Sequence, residues 1–293
     1  MESKNDTWII PVIIIVGLVI TVAIILIIIY ATPHSSNSIR LDFTSPQLFH
    51  KFVFVNNCPY TIWPGALGNS GMIAPNNGGW KMDSGTTTTL YIPKGWQGRF
   101  WPRTGCDVNG ANCETGDCGR LQCNGRGGTP NVSLAEFTLD SGPNNDQDFY
   151  DISFVDAISQ TISIDLIPDT FINKNPNDRF SCGSSGCTEN IDFNQCPSEL
   201  QLKNNQGEIV SCISPCQKID TDQVCCRGQY NSNQTCITSQ WPNPYNLYPP
   251  LVKNACPTGY SFAYDDATST FYCNSKPGSP ILTGYVITFC PGK

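Results

Sequence analysis

The chain has 293 residues, with 17 Lys and Arg against 24 Asp and Glu, and a formal charge of −7. That balance excludes a nucleic-acid binder working through a basic surface. Charged residues make up only 14 %, too few for the solvated faces of an all-helical protein.

Trp8 to Tyr30 is an apolar run without a charged residue. As a helix it would span about 34 Å, enough to cross a hydrocarbon core of about 30 Å. The apolar core of a cleaved signal peptide is shorter, about 7–15 residues. An uncleaved transmembrane signal-anchor is therefore expected over 8–30, after a short cytoplasmic terminus at 1–7. The flanking charges set no orientation. The cysteines do, because disulfides need an oxidising compartment. The C-terminal part is expected to be lumenal or extracellular, on a cell or viral-envelope surface, in a single-pass type II arrangement. Residues 31–51, rich in Pro, Ser and Asn, read as a flexible stalk. The globular domain is expected over 52–293.

Short runs rich in Thr, Val, Ile and aromatics follow, separated by turn chemistry. They are Phe52–Val55, Thr86–Ile92, Gly98–Arg103, Ala135–Leu139, Phe149–Val155, Thr161–Ile167 and Gly284–Phe289, and their spacing predicts a mainly β sandwich or flattened barrel. Cys182–Cys256 differs, with nine cysteines in 75 residues. It reads as a disulfide-stapled lobe with one short helix near Pro197–Lys203. Glycosylation sequons begin at Asn131 and Asn233, and a third, at Asn5, falls on the cytoplasmic side.

All 16 cysteines lie between Cys58 and Cys290. Zinc sites are the competing reading, but the only histidines, His34 and His50, precede the first cysteine, and no CxxC spacing occurs. Eight disulfides are the better reading. The same scarcity removes Ser-His-Asp and Cys-His nucleophiles and histidine-ligated zinc from the cysteine-bounded domain. No metal or other cofactor is expected.

Between Arg126 and Lys174 there is no Lys or Arg, yet eight acids occur. Asp140, Asp146, Asp165 and Asp169 read as a solvated face with turn aspartates. Glu136, Asp151 and Asp156 are embedded in apolar strand sequence, where a desolvated carboxylate needs a partner. Arg99, among aromatics, is a counter-charge for them. Asp151 and Asp156 are five apart, so they share a face only if the strand ends or bulges between them.

The run Gly110-Ala111-Asn112-Cys113-Glu114-Thr115-Gly116-Asp117-Cys118-Gly119-Arg120-Leu121-Gln122-Cys123 resembles the signature of the thaumatin-like proteins. Asn56-Asn57-Cys58-Pro59-Tyr60, Arg99-Phe100-Trp101-Pro102-Arg103, Leu134-Ala135-Glu136-Phe137, Asp148-Phe149-Tyr150-Asp151-Ile152-Ser153, Tyr264-Asp265-Asp266 and Phe289-Cys290-Pro291 extend the resemblance from about Phe52 to Lys293. It implies a flattened β-sandwich core, a disulfide-rich loop and helix lobe over about 182–256, and a small third lobe. It also implies the pairs Cys58–Cys290, Cys106–Cys113, Cys118–Cys123, Cys182–Cys273, Cys187–Cys256, Cys196–Cys212, Cys216–Cys225 and Cys226–Cys236.

By the same resemblance, Arg99, Glu136, Asp151, Asp156 and Asp266 line an acidic cleft that accepts sugar hydroxyls. A defence or antifungal protein recognising β-1,3-glucan or a related cell-wall polysaccharide is implied; the anchor read at 8–30 is unusual for this family, many of whose members are simply secreted, and a monomer is expected. The alternative is a weak endo-β-1,3-glucanase, with Glu136 as general acid and Asp151 as base or nucleophile. A further alternative is a surface-display domain or an enzyme inhibitor without glycan chemistry. Ala157-Ile158-Ser159-Gln160 departs from the family's Gly-Phe-Asn at the cleft edge, which bears on glucan affinity. Trp80, Trp96 and Trp241 are candidate sugar platforms.

Overall fold

A computed structural model describes residues 48–142 and 144–292. The signal-anchor expected over 8–30 and most of the stalk lie outside the described residues. Among the described residues no helix is long and apolar enough to cross a membrane. Gln47–Lys293 forms one compact unit.

The strands are β1 (Phe49–Asn56), β2 (Trp63–Gly68), β3 (Thr87–Pro93), β4 (Gln97–Arg103), β5 (Leu134–Ser141), β6 (Gln147–Ser153) and β7 (Ala157–Ile158). They continue with β8 (Ile162–Leu166), β9 (Phe171–Ile172), β10 (Ser185–Gly186), β11 (Gln201–Lys203), β12 (Ile209–Ile213), β13 (Phe271–Ser275) and β14 (Leu282–Phe289). One sheet has the order β10-β8-β14-β1-β3 and a second β2-β4-β5-β6-β13-β9. A small third sheet, β11-β12-β7, carries part of the disulfide-rich lobe. The neighbours β1 and β14 run parallel.

The two large sheets meet through aromatic rings, as alternation dictates. Phe52, Phe54 and Tyr285 on one face Phe100, Phe137 and Tyr150 on the other. Ring centroids lie 4.9 Å apart for Phe52–Phe137 and 5.1 Å for Phe137–Tyr285. Offset and edge-on pairs of this kind add to the burial of their large surfaces. β1 begins at Phe49, inside the segment assigned to the stalk, and alternates half-buried and buried residues along its length. His50 therefore enters the core, although it precedes the first cysteine.

The sixteen cysteines form eight disulfides. They join Cys58–Cys290, Cys106–Cys113, Cys118–Cys123 and Cys182–Cys273. The others are Cys187–Cys256, Cys196–Cys212, Cys216–Cys225 and Cys226–Cys236. Cys58–Cys290 follows directly on the parallel β1–β14 pair and closes a loop of 232 residues. Loop entropy assigns such a closure about 5 kcal/mol.

Buried Arg103 ties the end of β4 to the cysteine loop before β5. It donates to the carbonyls of Trp63 at 2.8 Å, Arg120 at 2.6 Å and Leu121 at 2.7 Å. Burial lowers its pKa to about 10, so it stays charged at neutral pH.

The helix expected near Pro197–Lys203 is absent. Leu200 is buried at the end of a turn, and Gln201–Lys203 pairs with β12 as β11. The lobe's helices are instead α1 (Pro215–Ile219) and α2 (Tyr248–Ala255). The Ser214 side chain caps α1 by accepting from the Gln217 amide, with proline at the first position. A one-turn α3 (Asp266–Ser269) precedes β13. The tryptophans suggested as sugar platforms are core residues: Trp80, Trp96 and Trp241 are all buried.

Candidate functional site: an acidic cleft on the outer face of the second sheet

Register places three of the sequence candidates in one row. Arg99 on β4 lies opposite Glu136 on β5, and Glu136 lies opposite Asp151 on β6. Their neighbours Phe100, Ala135 and Ile152 form the next row and are buried. Side chains alternate along a strand, so the charged row points away from the core. Cross-strand neighbours have Cβ atoms about 5 Å apart, so the two carboxylates stand side by side.

Asp156 reaches the same place because β6 ends at Ser153 and the chain bends before β7. This meets the condition set by the spacing of Asp151 and Asp156. Gln217 on α1 donates to the Asp156 carboxylate at 3.0 Å, and the Ser214 amide donates to the Asp156 carbonyl at 2.9 Å. The cleft so formed holds about 450 Å³ and is lined by Arg99, Glu136, Asp151 and Asp156, with Ser153 and Tyr260 beside them. Asp266, exposed at the start of α3, accepts from the Tyr260 hydroxyl at 2.9 Å.

Adjacent Asp265 has a different role. It is buried, accepts from the Ser261 amide and hydroxyl, and pairs with Lys253 at 2.8 Å. It thus anchors the segment that carries Tyr260 and Asp266.

Burial pushes the Glu136 carboxyl above its ordinary range. Arg99 opposes the shift, Asp156 reinforces it and the Ser153 hydroxyl opposes it. Asp151 is pushed well above its ordinary range, first by burial, then by the charges of Glu136 and Asp266. Arg99 is the cation whose charge acts on Glu136. The arrangement can accept hydrogen bonds from a polyhydroxylated ligand, and raised carboxyls are the feature a general acid needs.

Tyr260, Ser153 and Gln217 were not singled out in the sequence. Tyr260 is brought in by a parallel bridge to Ser153, which separates it from its partner by 107 positions. Its only local signal is the aromatic-rich stretch before Tyr264-Asp265-Asp266. The departure at Ala157-Ile158-Ser159 is packed inside, since all three residues are buried, the first two as β7. Asp156 is therefore the last residue of this segment to face the cleft.

Elsewhere, Asp140 departs from the expected solvated face. It is buried and pairs with His50 Nε2 at 2.7 Å, while Nδ1 meets the Thr283 carbonyl at 2.8 Å. Both ring nitrogens are thereby occupied, so the group formed with Asp148 reads as an ion-pair cluster rather than a metal centre. Of the two sequon asparagines, Asn233 is exposed. Asn131 is half-buried, accepting from the Gly116 amide and donating to the Glu114 carbonyl.

The sequence model of the Thaumatin family matches residues 56–291. The chain belongs to the thaumatin family. Among its relatives is a pathogenesis-related thaumatin-like protein 3.5 of Cryptomeria japonica, 42 % identical over 83 % of this chain and 90 % of that protein. A protein of Prunus avium named glucan endo-1,3-beta-glucosidase is 39 % identical over 81 % of this chain and 89 % of its own length. A laminaripentaose-producing β-1,3-glucanase, solved with laminaritetraose, covers 82 % of this chain and 98 % of its own at a TM-score of 0.52 and 12 % identity. That likeness is one of fold.

Proposed function

We propose that the protein recognises β-1,3-glucan or a related cell-wall polysaccharide in the acidic cleft, as a defence-type member of its family. The observation that carries this reading is the outward row Arg99–Glu136–Asp151, continued by Asp156, along an open cleft. Carboxylates accept pairs of sugar hydroxyls, and Arg99 supplies the donor a glycan oxygen needs. The Prunus avium relative's name supports the choice of polymer. The test is retention of the chain on insoluble β-1,3-glucan, with cellulose and chitin as controls. Selective retention that weakens in Glu136→Gln and Asp151→Asn is expected. Equal retention on all three polymers, or none on glucan, contradicts the reading.

Hydrolysis is the second reading, favoured by one observation, the raised carboxyl of Glu136, which suits a general acid. Glu136 would donate a proton to the glycosidic oxygen, and Asp151 would act as base or nucleophile only once it has lost the proton that burial and its acidic neighbours help it keep. A reducing-end assay on the retained polymer separates this from binding alone. Type II membrane anchorage through residues 8–30 belongs to the same proposal. It predicts that protease added to intact vesicles leaves 52–293 protected, and that glycan occurs on Asn233 and never on Asn5.

A further inference from the structure

A second cavity, of about 620 Å³, shares no lining residue with the acidic cleft. Its walls include the aromatic residues Tyr60, Trp63 and Phe193 and two carboxylates, Glu114 and Glu208. Phe193 comes from a one-turn helix, Trp63 opens β2, and Glu208 lies in the turn before β12. Tyr60 is 42 % exposed, and its hydroxyl is held by Gln160 at 2.7 Å. This ring surface is thus fixed in place and open to solvent.

The carboxylates are held together by one neutral group. The Asn204 side-chain amide donates to Glu114 at 3.1 Å and to Glu208 at 3.0 Å, which spends both of its hydrogens. Asn204 is itself fixed, since its carbonyl oxygen accepts from the Gln206 and Glu208 amides. Glu114 packs over Gly105, where a side chain would meet the carboxylate and where φ is +62°. Among the described residues neither carboxylate forms an ion pair with Lys, Arg or His. Two like charges whose bonded oxygens lie within about 6 Å repel.

We propose that this cavity binds a small organic cation, an alkylammonium or aminosugar head. Its charge would lie against Glu114 and Glu208, and its carbon skeleton against Tyr60, Trp63 and Phe193. Charge complementarity selects this class. The bonded pair leaves each carboxylate with a second oxygen for a donor, and a neutral ligand would leave the two charges unbalanced. Aromatic rings attract cations through their quadrupole, most strongly in partly desolvated sites. An apolar cavity with a few fixed polar groups is the usual form of a small-molecule site. The inference is independent of glucan recognition, which uses other residues.

The test uses the full chain in a choline-free non-ionic detergent and two matched pairs of probes. Choline is compared with its neutral isostere 3,3-dimethylbutan-1-ol, and glucosamine with glucose, by tryptophan fluorescence and titration calorimetry. Saturable binding of the charged member of at least one pair, weakened by salt, is expected. The pair that responds distinguishes an alkylammonium from an aminosugar ligand. Glu114→Gln with Glu208→Gln should weaken it about 10-fold or more. Glu208→Gln alone, on an exposed side chain that leaves the core untouched, should weaken it by a smaller factor. Equal affinity for charged and neutral members, no binding of either, or unchanged affinity in a folded Glu208→Gln variant overturns the proposal.

Discussion

Strands β5 and β6 carry two acidic clusters of similar composition and opposite chemistry. On the inner side, Asp148 on β6 and Asp140 near the end of β5 meet His50 from β1. Tyr285 donates to Asp148 at 2.7 Å, and the Asp140 amide donates to the other Asp148 oxygen at 2.8 Å. On the outer side, Glu136 and Asp151 stand side by side, with Arg99 opposite Glu136. Asp148 and Asp151 are three positions apart on one strand, so alternation alone sends them to opposite faces. The inner cluster gives its carboxylates a cation and hydrogen bonds, although burial still pushes the Asp148 carboxyl up. The outer cluster lies along an open cleft, and its Glu136 and Asp151 carboxyls are pushed up by burial and by their acidic neighbours.

The most direct way to break the comparison is to remove the inner cation. His50→Ala leaves Asp140 and Asp148 buried without their partner, and such a loss costs about 3–5 kcal/mol. Urea denaturation measures it, and a cost below about 1 kcal/mol would place the inner cluster in the same class as the outer one.

Both clusters should lose stability as pH rises, but over different pH windows. Burial alone would lower the His50 pKa, but Asp140 and Asp148 outweigh it and the net shift is upward. Its contribution is therefore fully present below about pH 6.5 and lost as pH rises through the folded value. His50→Gln should flatten the stability profile above neutral pH. The outer carboxyls are raised as well, but for an acid this means the ionised form is the costly one. Their cost is absent below the ordinary carboxylate range and sets in as pH rises through it to the raised values. Glu136→Gln and Asp151→Asn should therefore stabilise the fold at pH 7, on the order of 1 kcal/mol each, while weakening glucan retention. Thermal melts at pH 7 and pH 4 check this, and the gain should vanish at the lower pH.

The smallest effect is expected at Gln217. Gln217→Ala removes one hydrogen bond to Asp156 and leaves the row intact. A two- to threefold loss of glucan retention, equivalent to about 0.5 kcal/mol, is expected with no change in melting temperature.

Much of this was legible in the sequence, for reasons that also mark the boundary. The strands carrying Phe54, Phe100, Phe137 and Tyr150 announce themselves by alternation of apolar and polar residues, a local signal. Their acidic neighbours Glu136 and Asp151 stand out because they interrupt it. Trp63–Gly68 was missed because Pro64, Gly65 and Gly68 read as turn residues. It is a strand because it lies at the sheet edge, where proline costs no central ladder bond. β11 and β12 were hidden by the dense cysteines around them. The inner cluster could not be read, since His50, Asp140, Asp148 and Thr283 come from distant parts of the chain. The register shift between Thr138 and Ser141, with Asp140 at a φ of 49°, accompanies the turn of Asp140 inward. The bridge from Ser153 to Tyr260 is equally non-local, which is why Tyr260 joined the cleft wall only with the fold.

Titration of a β-1,3-linked glucose hexamer into wild type, Glu136→Gln, Asp151→Asn and His50→Gln tests the central claim most directly. The account predicts saturable binding that falls about 10-fold or more in both cleft variants and stays within about twofold of wild type in folded His50→Gln. Unchanged affinity in Glu136→Gln and Asp151→Asn, or a loss confined to His50→Gln, would contradict it.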